Sequence, residues 1–133
     1  MLMPGASVRR LVRKTQFTSV LNGPAIAHTA HFALHQSPAT PPLFDAEPAA
    51  WAGVVLPKRW AKRAVTRNAL RRHIYVCLQQ VQRDSGALSA QACVVRLRRG
   101  FDAHQFPSAW SHALRDVVVA ELQRLVTRAG WGA

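Results

Sequence analysis

Acidic side chains are scarce in this 133-residue chain: 6 Asp+Glu stand against 18 Lys+Arg. None lies between Glu47 and Asp84, so no pair of carboxylates is available beside the cations to carry a hydrolytic reaction. Cysteine is nearly absent. Cys77 and Cys93 lie among apolar neighbours with no CxxC spacing, which argues against a zinc or redox site. Two small buried hydrophobes in a reducing compartment are expected instead. No apolar run approaches the ~18–20 residues of a bilayer span, which excludes a membrane-spanning helix. No apolar segment of signal-peptide length follows Arg9, Arg10, Arg13 and Lys14. Internal repeats are also missing, and the length allows one domain.

What is present is charge of one sign. The formal net charge is +12, and 15 of the 18 basic residues are Arg. A lone domain so charged repels itself, and the balance implies a polyanionic partner. Nucleic acid is the leading candidate and an acidic membrane surface the second. The Arg bias favours nucleic acid, because a guanidinium grips phosphate bidentately and stacks on bases. Residues 1–83 carry net +10 and residues 84–133 net +2, so the binding surface should come from the first two thirds.

The pattern along the chain predicts an α+β domain. Residues 1–8 read as a tail, and residues 13–22 suit a short helix with Phe17, Val20 and Leu21 on one face. Residues 29–35 read as a strand with Phe32 and Leu34 on one side and His31, Ala33 and His35 on the other. A Pro-rich loop over 36–50 has room for an edge strand near Leu43-Phe44. Trp51 to Leu56 forms a strand, 60–83 a long helix, and 91–98 a further strand. A last helix runs from about Pro107 to Arg128, its apolar stripe interrupted by Glu121. The expected order is α-β-β-β-α-β-α in a small two-layer sandwich with a sheet of about four strands.

The strongest feature is the run from Lys58 to Arg72, with seven cations in fifteen positions and no acid. Arg59, Arg63, Arg67 and Arg71 stand four apart, an arrangement that costs a few tenths of a kcal/mol per pair on a free helix. Phosphates on that face would reverse the sign. At about 100° per residue, Leu70, Ile74, Cys77, Leu78 and Val81 share one sector, with Arg63 and Arg67 earlier on the same sector. A membrane-surface helix would carry its apolar stripe alongside the basic face, and here the stripe follows it. A merely solubilising helix would mix signs.

In this order of elements, the run resembles the protein subunit of bacterial ribonuclease P. Pro57-Lys58-Arg59, Arg63-Ala64, Arg67-Asn68 and Arg71-Arg72 match the family's strand end and basic helix motif. The stretch from Leu11 to Phe17, the strand His31–His35 and the run Val94–Gly100 resemble its other landmarks, so the likeness covers about residues 9–128. The sequence departs at Ala69, where the motif has a third basic position, and at Tyr75 and Val76, which replace an Arg-Glu pair. His35 and Leu21 stand where aromatics are usual.

The resemblance implies a left-handed βαβ crossover around the basic helix and a single RNA-binding domain over 9–129, with 130–133 as a C-terminal tail. It implies a cytoplasmic subunit that binds the ribonuclease P RNA and the 5′ leader of precursor tRNA. The RNA removes the leader with Mg²⁺ that it holds itself, and no protein side chain is catalytic. Catalytic-RNA contact is expected from Lys58, Arg59, Lys62, Arg63, Arg67, Asn68, Arg71 and Arg72, with Arg98 and Arg99 second in rank. The leader cleft is expected from Arg13, Lys14, Phe17, Phe32 and His35, although Phe17 reads at least as well as core, and Phe32 reads as core before stacking platform because it shares a face with Leu34. His31 and His35 on one strand face would be some 13 Å apart at ~3.3 Å per residue, too far to share an ion. Neither a protein-bound cofactor nor a membrane or DNA partner is expected. The competing classes are a noncatalytic RNA-binding protein such as a ribosomal component, and a DNA-binding regulator reading duplex with residues 60–83.

Overall fold

A computed structural model describes residues 8–44 and 49–131. Three helices and five strands follow in the order β1 (Val8–Arg10), α1 (Lys14–Leu21), β2 (Ala25–His28), β3 (Phe32–Pro38), β4 (Ala50–Val55), α2 (Ala64–Ser85), β5 (Gln91–Leu97) and α3 (His112–Arg128). The strands form one sheet in the order β1-β4-β5-β3-β2. β4 and β5 are parallel and joined through α2; β1 is parallel to β4, while β3 is antiparallel to both β5 and β2.

The α+β class holds, with two strands beyond the expectation. Val8, expected in a tail, opens β1, and residues 1–7 lie outside the described residues. Ala25–His28 forms β2 against β3. The edge strand expected at Leu43-Phe44 does not form: Phe44 N–H donates to the Thr40 carbonyl in a turn. Both long helices start later than their periodicity suggests. Trp60 and Ala61 N–H turn back onto the Pro57 carbonyl, so Lys58 to Lys62 precede α2. Ser111 caps α3, its hydroxyl accepting from Leu114 N–H at 3.1 Å. The stop of α2 is sharp, because Gly86 adopts φ +67° and donates to the Gln82 carbonyl.

Strand alternation sorts the core. Phe32, Leu34, Ala52, Cys93, Val95 and Leu97 face α2 and α3, meeting Leu70, Ile74, Leu78, Leu114, Val118 and Leu125. This sheet-on-helices sandwich buries the apolar faces of both long helices. On the other face, Trp51, Ala92 and Val94 pack with Val20, Leu11 and Phe44 under the single short helix α1. Gly53 is required there: a Cβ would collide with the Phe17 ring. Trp131, expected in a C-terminal tail, is buried against the α2–α3 side of the core, with its N–H on the Val126 carbonyl.

Both cysteines are buried as expected; burial pushes the Cys77 thiol up to about 11 and the Cys93 thiol to about 12. The interruption of the α3 stripe also has a cause. Glu121 is 2% exposed and accepts from Thr29 Oγ1 at 2.6 Å, His31 N–H at 2.7 Å and His31 Nδ1 at 2.7 Å. A polar residue on an apolar stripe is thus the fastening of α3 to the β2–β3 turn. His31 also stacks on Phe101 at 4.0 Å between ring centroids.

Candidate nucleic-acid interface

The turn at 57–63 and the first turns of α2 display the cations, and neighbouring backbone fixes their pose. Arg63 occupies the N-cap and donates to the Pro107 carbonyl at 3.0 Å. Thr66 hydroxyl donates to the Ala109 carbonyl at 2.5 Å. These two bonds tie the start of α2 to the β5–α3 loop. Arg67 folds back and donates to the Ala61 and Lys62 carbonyls at 2.9 and 2.8 Å. It therefore braces the turn that carries Lys62, a role its sector on the helix did not reveal. Arg71 reaches the Asn68 side-chain oxygen at 3.3 Å.

Lys58, Arg59, Lys62, Arg63, Asn68 and Arg72 are exposed, and Arg67 and Arg71 are half-buried. Among the described residues no carboxylate pairs with any cation of 58–72; the ion pairs are His31–Glu121 and Arg115–Asp116. Charge repulsion within the run is thus uncompensated by protein, as expected for a surface that meets phosphate. Arg59 lies over the Trp60 ring at 5.3 Å, and Trp60 is 37% exposed, so this aromatic belongs to the basic surface. His73, next on the helix, is lowered below its ordinary value by burial and then by the charges of Arg72 and Arg115. It is neutral at physiological pH and adds no charge.

The two strand-end arginines separate. Arg98 donates from its backbone to the His31 carbonyl at 2.7 Å and from its side chain to the Thr29 carbonyl at 2.8 Å, so it locks the β2–β3 turn. Arg99 is exposed.

The leader set divides by sheet face. Phe17 and His35 belong to the α1 side, where Gly53, Val94 and His35 form one row across β4, β5 and β3. His35 is buried and its Nδ1 lies 3.0 Å from the Gly23 carbonyl. Arg13 is exposed and donates to the Leu43 carbonyl at 2.7 Å, and Lys14 is exposed at the first turn of α1. Phe32 does not belong to this set. It is fully buried on the opposite face among α2 and α3 side chains, because strand alternation sends it with Leu34 and away from His35.

The same alternation supplies a cation that the motif reading missed. Arg96 shares the α1 face with Val94 and sits in the next row, between Val55 and Ala33. Its signal was the period of two in Val94-Val95-Arg96. Arg9 lies over the Trp51 ring at 5.4 Å at the far end of the same face.

Comparison with known proteins decides the family. A family model described as Ribonuclease P matches residues 6–128. This chain belongs to the ribonuclease P protein family. The ribonuclease P protein component of Bordetella parapertussis is 41% identical over 99 residues, 71% of this chain and 76% of the relative. That of Burkholderia mallei is 30% identical over 120 residues, 90% of this chain and 81% of the relative. The fold agrees with the ribonuclease P protein of Staphylococcus aureus: the TM-score is 0.65 at 15% identity, covering 92% of this chain and 96% of that one. As a ribonuclease P protein, the chain is a subunit of an endoribonuclease of tRNA processing. The ribosomal-component and DNA-regulator readings give way to it. Among the described residues no helix is long and apolar enough to cross a membrane.

Proposed function

We propose that this subunit binds the ribonuclease P RNA through the turn and helix face carrying Lys58, Arg59, Lys62, Arg63, Asn68, Arg71 and Arg72. Arg67 poses that surface, and Arg99 extends it. The 5′ leader of precursor tRNA lies on the α1 face of the sheet, where Phe17 offers a ring and Arg13, Lys14 and Arg96 offer charge. His35 supports that floor from beneath.

One observation carries this reading: seven cations within fifteen residues have no carboxylate partner among the described residues, while backbone contacts hold several of them in place. Fixed guanidiniums neutralise phosphate and lower the demand for divalent ions. Mg²⁺ supplies the hydrolytic chemistry from ligands on the RNA. The compartment is the cytoplasm, where precursor tRNA is made.

The test is leader cleavage by a bacterial ribonuclease P RNA at low Mg²⁺ in near-physiological salt. Adding the protein should restore cleavage that the RNA alone loses. Tight RNA binding with no gain in cleavage would defeat the reading.

A further inference from the structure

The basic run ends at Arg72, yet the charged surface continues. An open groove of about 510 Å³ runs between β1 and the outer side of α2. Its walls hold four guanidiniums, those of Arg10, Arg71, Arg72 and Arg83, and no carboxylate among the described residues. Two belong to the run already described. Arg83 lies a further three turns along α2, and Arg10 comes from the edge strand.

The pose of Arg10 is built. The backbone N–H of Val8 donates to Gln79 Oε1 at 3.0 Å, which seats β1 on α2. The Arg10 guanidinium then lies 4.1 Å above the Tyr75 ring centroid. Tyr75 is half-buried, so the platform is fixed while Arg10 itself stays exposed. Burial raises the Tyr75 phenol above its ordinary value against the opposing charges of Arg10 and Arg71, which puts both cations within electrostatic reach of it. At Tyr75 the cation beside α2 thus comes from β1 and not from the helix itself.

We propose that this groove is a second phosphate-binding track for structured RNA, with Arg10 clamped on Tyr75 as its central contact and Arg83 as its far end. The track deepens the reading above and rests on it: the same RNA that meets Lys58 to Arg72 continues along α2. From Asn68 to Arg83 the helix advances about 22 Å at 1.5 Å per residue, room for three or four successive phosphates. A single strand or one strand of a helix would follow it through its backbone, with no base-specific contact from the guanidiniums. Like charges around one groove are self-repelling in the free protein, and a polyanion relieves this.

The experiment measures binding of the full-length protein to the ribonuclease P RNA of its own organism across a salt series. Arg10→Ala and Arg83→Ala should each weaken binding about tenfold near physiological salt and flatten the log–log salt slope by ~1. Tyr75→Ala should match Arg10→Ala, the double variant should be no worse than either, and Tyr75→Phe should bind as the parent does. Arg124→Ala, on the exposed side of α3, should change nothing. Parent-like affinity and slope in Arg10→Ala and Arg83→Ala, with Arg71→Ala/Arg72→Ala still weakened, overturn the track and leave the first interface standing. Parent-like binding in all of them overturns both.

Discussion

Glu121 and His31 meet across 90 residues of chain, with carboxylate oxygen and ring Nδ1 2.7 Å apart. Glu121 takes two further hydrogen bonds, so one buried carboxylate closes α3 onto the turn that begins β3. Burial alone would raise this carboxyl, but the bonds from Thr29 and His31, and the His31 charge, outweigh it and hold it below the ordinary value. Its contribution to stability is therefore complete above the unfolded value of about 4.3 and lost as pH falls through the lower folded value. Acid unfolding followed by circular dichroism should show this loss, and Glu121→Gln should flatten it. Glu121→Ala should cost about 3 kcal/mol in urea unfolding, since it strands three donors. A cost below about 1 kcal/mol would deny the fastening role.

Arg67 and Arg72 should separate stability from binding. Arg67 holds the Ala61 and Lys62 carbonyls, so Arg67→Ala should lower stability by about 1–2 kcal/mol and weaken RNA binding as well. Exposed Arg72 should affect binding alone, with Arg72→Ala flattening the salt slope by ~1 at unchanged stability. Paired urea titrations and salt-dependent binding would show whether the two variants differ in this way.

Gly53 offers a way to disturb the proposed leader face without touching a cation. In Gly53→Ala the new methyl meets the Phe17 ring and must displace that ring from its seat on the sheet. The expected cost is about 1–3 kcal/mol of stability. Affinity for precursor tRNA with a leader should fall further than affinity for mature tRNA, while binding to the ribonuclease P RNA is kept. Equal loss for both tRNAs would remove α1 from leader contact.

The thiols should stay silent in the native state. With Cys77 raised to about 11 and Cys93 to about 12 by burial, little thiolate exists at pH 8. Alkylation should follow global unfolding, and its rate should rise with urea in step with the unfolded fraction.

Much of this was legible in the sequence, for physical reasons that can be named. The long helices declared themselves through a 3.6-residue stripe at Leu70, Ile74, Leu78 and at Leu114, Val118, Leu125. The cation run stood out because no acid interrupts it. β1 and β2 were missed because Val8-Arg9-Arg10 and Ala25-Ile26-Ala27-His28 are short and lack a strong alternation; partners from β4 and β3 define them. The brace made by Arg67 was equally hidden, because a cation turned back onto its own backbone looks in sequence like one facing outward. The face of Phe32 was readable from its pairing with Leu34, and that reading wins over its placement beside His35.

The position of β5 has a kinetic consequence. It lies at the centre of the sheet yet is the last strand to be synthesised, and both of its partners, β3 and β4, precede it. A nascent chain that has not yet emerged to Gln91 can pair β2 with β3 and β1 with β4, but these two halves have no common strand. Contacts of such long sequence separation form slowly and late. The basic helix thus leaves the ribosome before the strand that joins the two halves of the sheet beneath it.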